Sequence, residues 1–162
     1  MTLTDKLAQL AFDNVRNSTE DEYQEQTLFQ SFAVGYYALP ATLCTVGAIL
    51  AWILHGWTSY LSFLVIIPLL VSEGFSNAWL KDKAPRAKAV RGTGYYIATF
   101  VPLAFWIAGL AFRTVESGDS SNAIGLVVGA IVGGIAAAIV TPRILDKRRA
   151  QDKERLEATL ED

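Results

Sequence analysis

The chain has 162 residues, of which 52% are hydrophobic and 19% charged, with a formal net charge of −2. Soluble domains carry roughly 25% charged residues, and here the shortfall is concentrated, with no Asp, Glu, Lys or Arg in the 47 residues between Glu25 and Glu73. A soluble globular fold is excluded by that segregation, and the lone cysteine, Cys44, excludes an intrachain disulfide.

The segment 1–28 is too polar to cross a bilayer. Leu3, Leu7, Leu10, Ala11 and Val15 recur every three to four residues, which predicts a short amphipathic helix. Thr19 followed by Glu22 has the spacing of a capping box. It predicts a second helix that continues into the first span. The segment is net acidic, which disfavours adsorption to anionic lipid. The amphipathic helix is therefore expected to pack on the protein's own cytoplasmic face or on a partner. No basic leader precedes the first apolar run, so no cleavable signal peptide is expected.

A membrane helix needs about 20 apolar residues. Four such helices are predicted at about 29–54, 57–80, 92–113 and 121–144. The first pair is separated by "HGWTSY" at 55–60, flanked by Trp52, Trp57 and Tyr60 as an interfacial aromatic belt. The second connection, "KDKAPRAKAVR", is strongly basic, and the third, "RTVESGDSSN", is turn-rich and net acidic. Thirteen of the fourteen Lys and Arg residues fall in the N-terminal segment, the second connection or the tail, leaving only Arg113 on the other side. Four spans put both termini on one side, and the basic bias makes that side cytoplasmic. Tyr36, Tyr37, Trp79, Tyr95 and Tyr96 then fall at the inner interface, and Trp106 nearer the outer one. "GYY" at 35–37 recurs at 94–96, although the prolines that follow, Pro40 and Pro102, are out of register. Residues 145–162 read as a charged, helical cytoplasmic tail beyond Pro142. The predicted fold class is thus all-α: a polytopic integral membrane four-helix bundle with an N-terminal amphipathic cytoplasmic helix and a helical C-terminal tail, in the cytoplasmic (inner) membrane.

Two features can carry chemistry. Glu73 is the one ionisable residue within a span, eight residues and so about 12 Å before Lys81. Against a hydrocarbon half-thickness of about 15 Å, that places it in the cytoplasmic half of the second span. An Asp at mid-helix costs about 2.5–3.5 kcal/mol to insert, so a carboxylate at this depth should face the bundle and find partners. Ser76 and Asn77 share its face, and Tyr95 and Arg91 at the start of the third span are candidate partners, with Tyr36 or Tyr37 of the first. Two readings follow: an interhelical hydrogen-bonded clamp built on Glu73 and Asn77, or a site that binds and releases a proton or cation. The architecture is analogous to small four-helix drug transporters that use one membrane glutamate. There, however, the acid lies in the first helix near the midplane, in a much shorter chain.

The second feature is in the fourth span, where Gly125, Gly129 and Gly133 recur every four residues with Gly134 beside them. A small-residue face of this kind lets another helix backbone approach closely. Its partner is expected within the chain, with self-association or another protein as alternatives.

No residue pattern points to an enzyme, a metal or a cofactor. His55 and Cys44 are each unique, no phosphate-binding loop or nucleophile elbow occurs, and "GTGYY" at 92–96 opens a membrane span without a preceding strand. Nucleic-acid binding is not expected, because topology already accounts for the basic residues of 81–91. The bilayer and other membrane subunits are the expected partners. The leading expectation is a small non-enzymatic accessory or assembly subunit of a larger inner-membrane complex, respiratory, transport or envelope-building. The alternative is a small, dimeric proton-coupled transporter using Glu73.

Overall fold

A computed structural model describes residues 2–81, 83–85 and 92–161. The described residues form α-helices α1 (Leu3–Asn17), α2 (Glu22–Ile53), α3 (Ile67–Leu80), α4 (Thr93–Glu116) and α5 (Ser120–Glu161), with a 3₁₀ segment (Gly56–Ile66) leading into α3. Among them there is no strand. Four helical stretches are long and apolar enough to cross a membrane: Glu22–Ile53, Gly56–Leu80, Thr93–Glu116 and Ser120–Arg155. The chain is thus consistent with a multi-pass membrane protein.

Local chemistry sets the helix ends. Thr2 and Asp5 form a reciprocal capping box at α1: the Asp5 amide donates to Thr2 Oγ1 at 3.2 Å and the Thr2 amide to Asp5 Oδ2 at 3.0 Å. These bonds, with Lys83 nearby, hold the Asp5 carboxyl below its usual range. The cap of α2 is Asp21, whose Oδ1 accepts from the Gln24 amide at 2.7 Å. This corrects the expected Thr19–Glu22 box: Thr19 is occupied in closing α1, its hydroxyl donating to the Val15 carbonyl at 3.1 Å. At the end of α4, Gly118 has φ +89°. The Gly118 amide bonds the Val115 carbonyl at 2.9 Å and the Asp119 amide bonds Thr114 at 3.1 Å, a Schellman closure. Asp119 Oδ1 then caps α5 by accepting from the Asn122 amide at 3.1 Å.

The most extensive packing is between α2 and α4, which run parallel. Their register is read from Tyr37 against Tyr95, Gly47 against Trp106 and Trp52 against Gly109. The two "GYY" stretches come side by side, shifted by one residue, so that Tyr37 and Tyr95 meet with ring centroids 4.6 Å apart. The 3₁₀ segment packs on both α2 and α4, and α5 packs on α4. The buried cluster is Ala48, Ala51, Trp106 and Leu110, flanked by Tyr60, Ile66, Leu103 and Leu126, all toward the His55 end of the helices. Helix α1 rests on α3 and α2 through Val15 and Phe12, the Phe12 ring lying 5.5 Å from Trp79 and 5.9 Å from Phe29.

One element differs from expectation. The second span is not one α-helix, since its first eleven residues are 3₁₀. The fourth span and the tail form one helix, α5, which continues through Pro142 for 42 residues in all. Proline lacks an N–H and crowds the preceding turn, and here that turn lies at exposed positions with room to adjust.

Candidate functional site

Glu73 sits one and a half turns into α3 and is half-buried. Asn77, one turn further on, donates from Nδ2 to the Glu73 carbonyl at 2.8 Å and to its carboxylate Oε2 at 3.2 Å. Ser76 is exposed on the same helix. Tyr95 lies on α4, where it meets Tyr37 of α2 and stands edge-on to Tyr96 at 6.0 Å. Arg91 lies outside the described residues.

Glu73 and Asn77 thus come together, but within one helix. The bond between them is an i,i+4 pair of α3. The reason is packing: beyond the 3₁₀ segment, α3 has no buried residue and rests on α1 rather than along α2 and α4.

The glycines of α5 are also placed otherwise than expected. A Cβ added at Gly125, Gly129, Gly133 or Gly134 would meet nothing within 4 Å. No described part of the chain fills this face, because α5 leans on α4 only over its first turns, through Ala123 and Leu126. From Ile131 to Ile144 every residue is exposed, with Ile and Val filling the rest of the circumference.

The best-organised polar and aromatic group lies at the opposite end from Glu73, and only fragments of it were anticipated. Trp106, expected near the outer interface, is fully buried, its ring pressed on Gly47, where a Cβ would fall 2.7 Å from the indole. The reciprocal contact sets Trp52 of α2 on Gly109 of α4, again with 2.7 Å to a hypothetical Cβ. Each tryptophan therefore fills the gap left by a glycine on the facing helix. Trp106 Nε1 donates to the buried Ser62 hydroxyl at 2.8 Å, and Trp52 Nε1 donates to the Phe105 carbonyl at 3.1 Å. Tyr60 and Thr114 share a hydrogen bond of 2.7 Å between the 3₁₀ segment and α4. Arg113 donates from Nη2 to the Trp52 carbonyl and from Nη1 to Glu116 at 2.6 Å, tying the last turn of α2 to α4. The signal in the sequence was the pairing of Gly47 with Trp52 and of Trp106 with Gly109, two tryptophans each near a glycine on spans of the same direction. Trp57, by contrast, is 76% exposed, as a belt residue would be.

Among the described residues, no three His, Cys, Asp or Glu side chains are grouped as a metal site would need. No family model, curated protein or solved structure matches this chain.

Proposed function

We propose that this chain is a non-enzymatic integral membrane protein that serves as an accessory or assembly subunit of a larger inner-membrane complex, with both termini cytoplasmic. The observation that carries this reading is the vacant glycine face of α5. A backbone laid against Gly125, Gly129 and Gly133 gains close dispersion contact and Cα–H···O bonds that lipid tails supply poorly. No described part of the chain uses that face, so a helix from another protein is the natural occupant. The open end of α5 and the surface of α1 extend the available contact beyond the spans. Basic residues in the second connection and the tail support the cytoplasmic placement of the termini.

The alternative, a dimeric proton-coupled transporter, draws on the Glu73–Asn77 pair. A coupling carboxylate would need access from both sides in turn, and Glu73 lies toward one end of its span. Gentle detergent extraction followed by native mass analysis separates the readings. Co-extraction with unlike subunits is expected. A homodimer whose proton flux is abolished in Glu73→Gln would support the transporter, and a stable monomer would count against both.

A further inference from the structure

The face that α1 turns toward the rest of the chain is not the face its sequence marks as apolar. The repeat runs through Leu3, Leu7, Leu10, Ala11 and Val15, and of these only Val15 is buried. What packs is Val15, half-buried Ala8 and the Phe12 ring, which meets Phe29 of α2 and Trp79 of α3. Leu3, Leu7 and Leu10 are left 66%, 47% and 67% exposed.

Successive residues of an α-helix stand about 100° apart, so α1 divides into three sectors. Ala8, Phe12 and Val15 form the packed one. Lys6, Gln9, Asp13 and Arg16 form a polar one, all exposed. Leu3, Leu7 and Leu10 form the third, with exposed Asn14 at its end. Its centre lies about 140° from that of the packed sector and about 110° from that of the polar one. A helix lying flat beside a bundle at the membrane surface needs such a division: one side to the protein, one to water and one to lipid.

The ties of α1 set its depth. Phe12 is held between Phe29, where the apolar part of the first span opens, and Trp79, one residue before α3 ends. Asp5 reaches Lys83 of the basic connection, 4.0 Å away. Both contacts fall where spans meet the polar boundary. Charge does not oppose adsorption either. Within α1, Asp5 and Asp13 are balanced by Lys6 and Arg16, and the acidic residues Glu20, Asp21, Glu22 and Glu25 lie beyond it.

We propose that α1 is an interfacial helix whose Leu3–Leu7–Leu10 sector enters the lipid leaflet on the side of the termini. An interfacial helix buries its apolar face about 5–10 Å into the headgroup and acyl boundary, and apolar area supplies much of the binding. Lipid fits this sector better than a protein does, because it holds no Trp, Tyr or Arg of the kind that anchors protein contacts. The polar sector stays open to the cytoplasm. The proposal rests on membrane insertion of the chain and not on what occupies α5.

The test is nitroxide accessibility by electron paramagnetic resonance, on the full chain in phosphatidylcholine nanodiscs and in a Cys44→Ser background. Single labels at Leu3→Cys, Leu7→Cys and Leu10→Cys read the leucine sector, and labels at Gln9→Cys and Asp13→Cys read the polar one. Oxygen concentrates in lipid, whereas a neutral nickel chelate stays in water. The expected result is a ratio of oxygen to nickel accessibility severalfold higher at the three leucine positions than at Gln9 and Asp13. Each leucine position is an independent reading, so the loss of one variant to misfolding leaves two. A nickel accessibility at all three equal to that of Gln9 would put the sector in water and overturn the proposal. Low accessibility to both reagents would mean that protein covers it, this chain or a second copy, and would overturn the proposal equally. The unlike subunit sought by native mass analysis can be present or absent under any of these results.

Discussion

The His55 end and the opposite part of the molecule are built on contrary principles. At the His55 end every glycine between α2 and α4 is filled: Gly47 by Trp106 and Gly109 by Trp52. The polar atoms of those rings find acceptors, and Arg113 fastens the last turn. Along α5 and in α3 the same residue type is left vacant, and α3 buries no side chain. Glycine in a membrane helix is therefore not one signal but two. Where a large ring on a neighbour is at hand it makes an intramolecular lock, and where none is at hand it leaves a surface for something else.

Variants at the two ends should break this contrast unequally. Trp106→Ala removes the largest fully buried side chain and should cost about 3–5 kcal/mol, read as a fall in the denaturation midpoint in detergent or bicelles. Gly47→Ala places a methyl where the Trp106 ring already sits, and overpacking of this kind costs about 1–3 kcal/mol. Equal stability of Gly47→Ala and wild type would show that the Trp–Gly contact is not tight. Ser62→Ala leaves the buried Trp106 N–H without its acceptor and should lose about 1–3 kcal/mol by the same assay. Gly129→Ala on the vacant face should stay within about 0.5 kcal/mol of wild type.

The smallest effect is at α1. The Asp5 carboxyl is held below its usual range chiefly by the Thr2 amide and hydroxyl. A carboxyl with a depressed folded pKa stabilises its structure above the unfolded pKa, near 3.8, and that stability is lost as pH falls through the folded value. Hydrogen exchange across 3–17 should therefore quicken only below about pH 4, and Asp5→Asn should flatten the dependence. Quickening already between pH 6 and 5 would place the responsible group elsewhere.

The number of apolar stretches and their approximate limits were legible because charge segregation and length are properties of the chain alone. Asp21 was missed as the cap of α2 because Thr19 offers the same chemistry two residues earlier, and only the closure of α1 decides between them. The 3₁₀ geometry of Gly56–Ile66 was hidden, since Gly56, Ser59 and Ser62 at intervals of three suit either helix type. Its contact with α4, Trp106 donating to Ser62, is likewise invisible in the sequence. Glu73 and Asn77 were recognised as neighbours, but sequence spacing carries no information on whether a second helix lies near enough to join them. The tryptophan–glycine lock went unread for the same reason, as it depends on which spans pair.

The central claim is that the vacant face of α5 holds another membrane subunit, while the Trp–Gly lock holds the chain itself together. Its most direct test is native mass analysis of Gly129→Leu beside wild type, both gently extracted from membranes. The account predicts that wild type carries an unlike subunit and that Gly129→Leu loses it with its own denaturation midpoint unchanged. Retention of the same subunit by a folded Gly129→Leu, or a wild type that emerges alone, would contradict it.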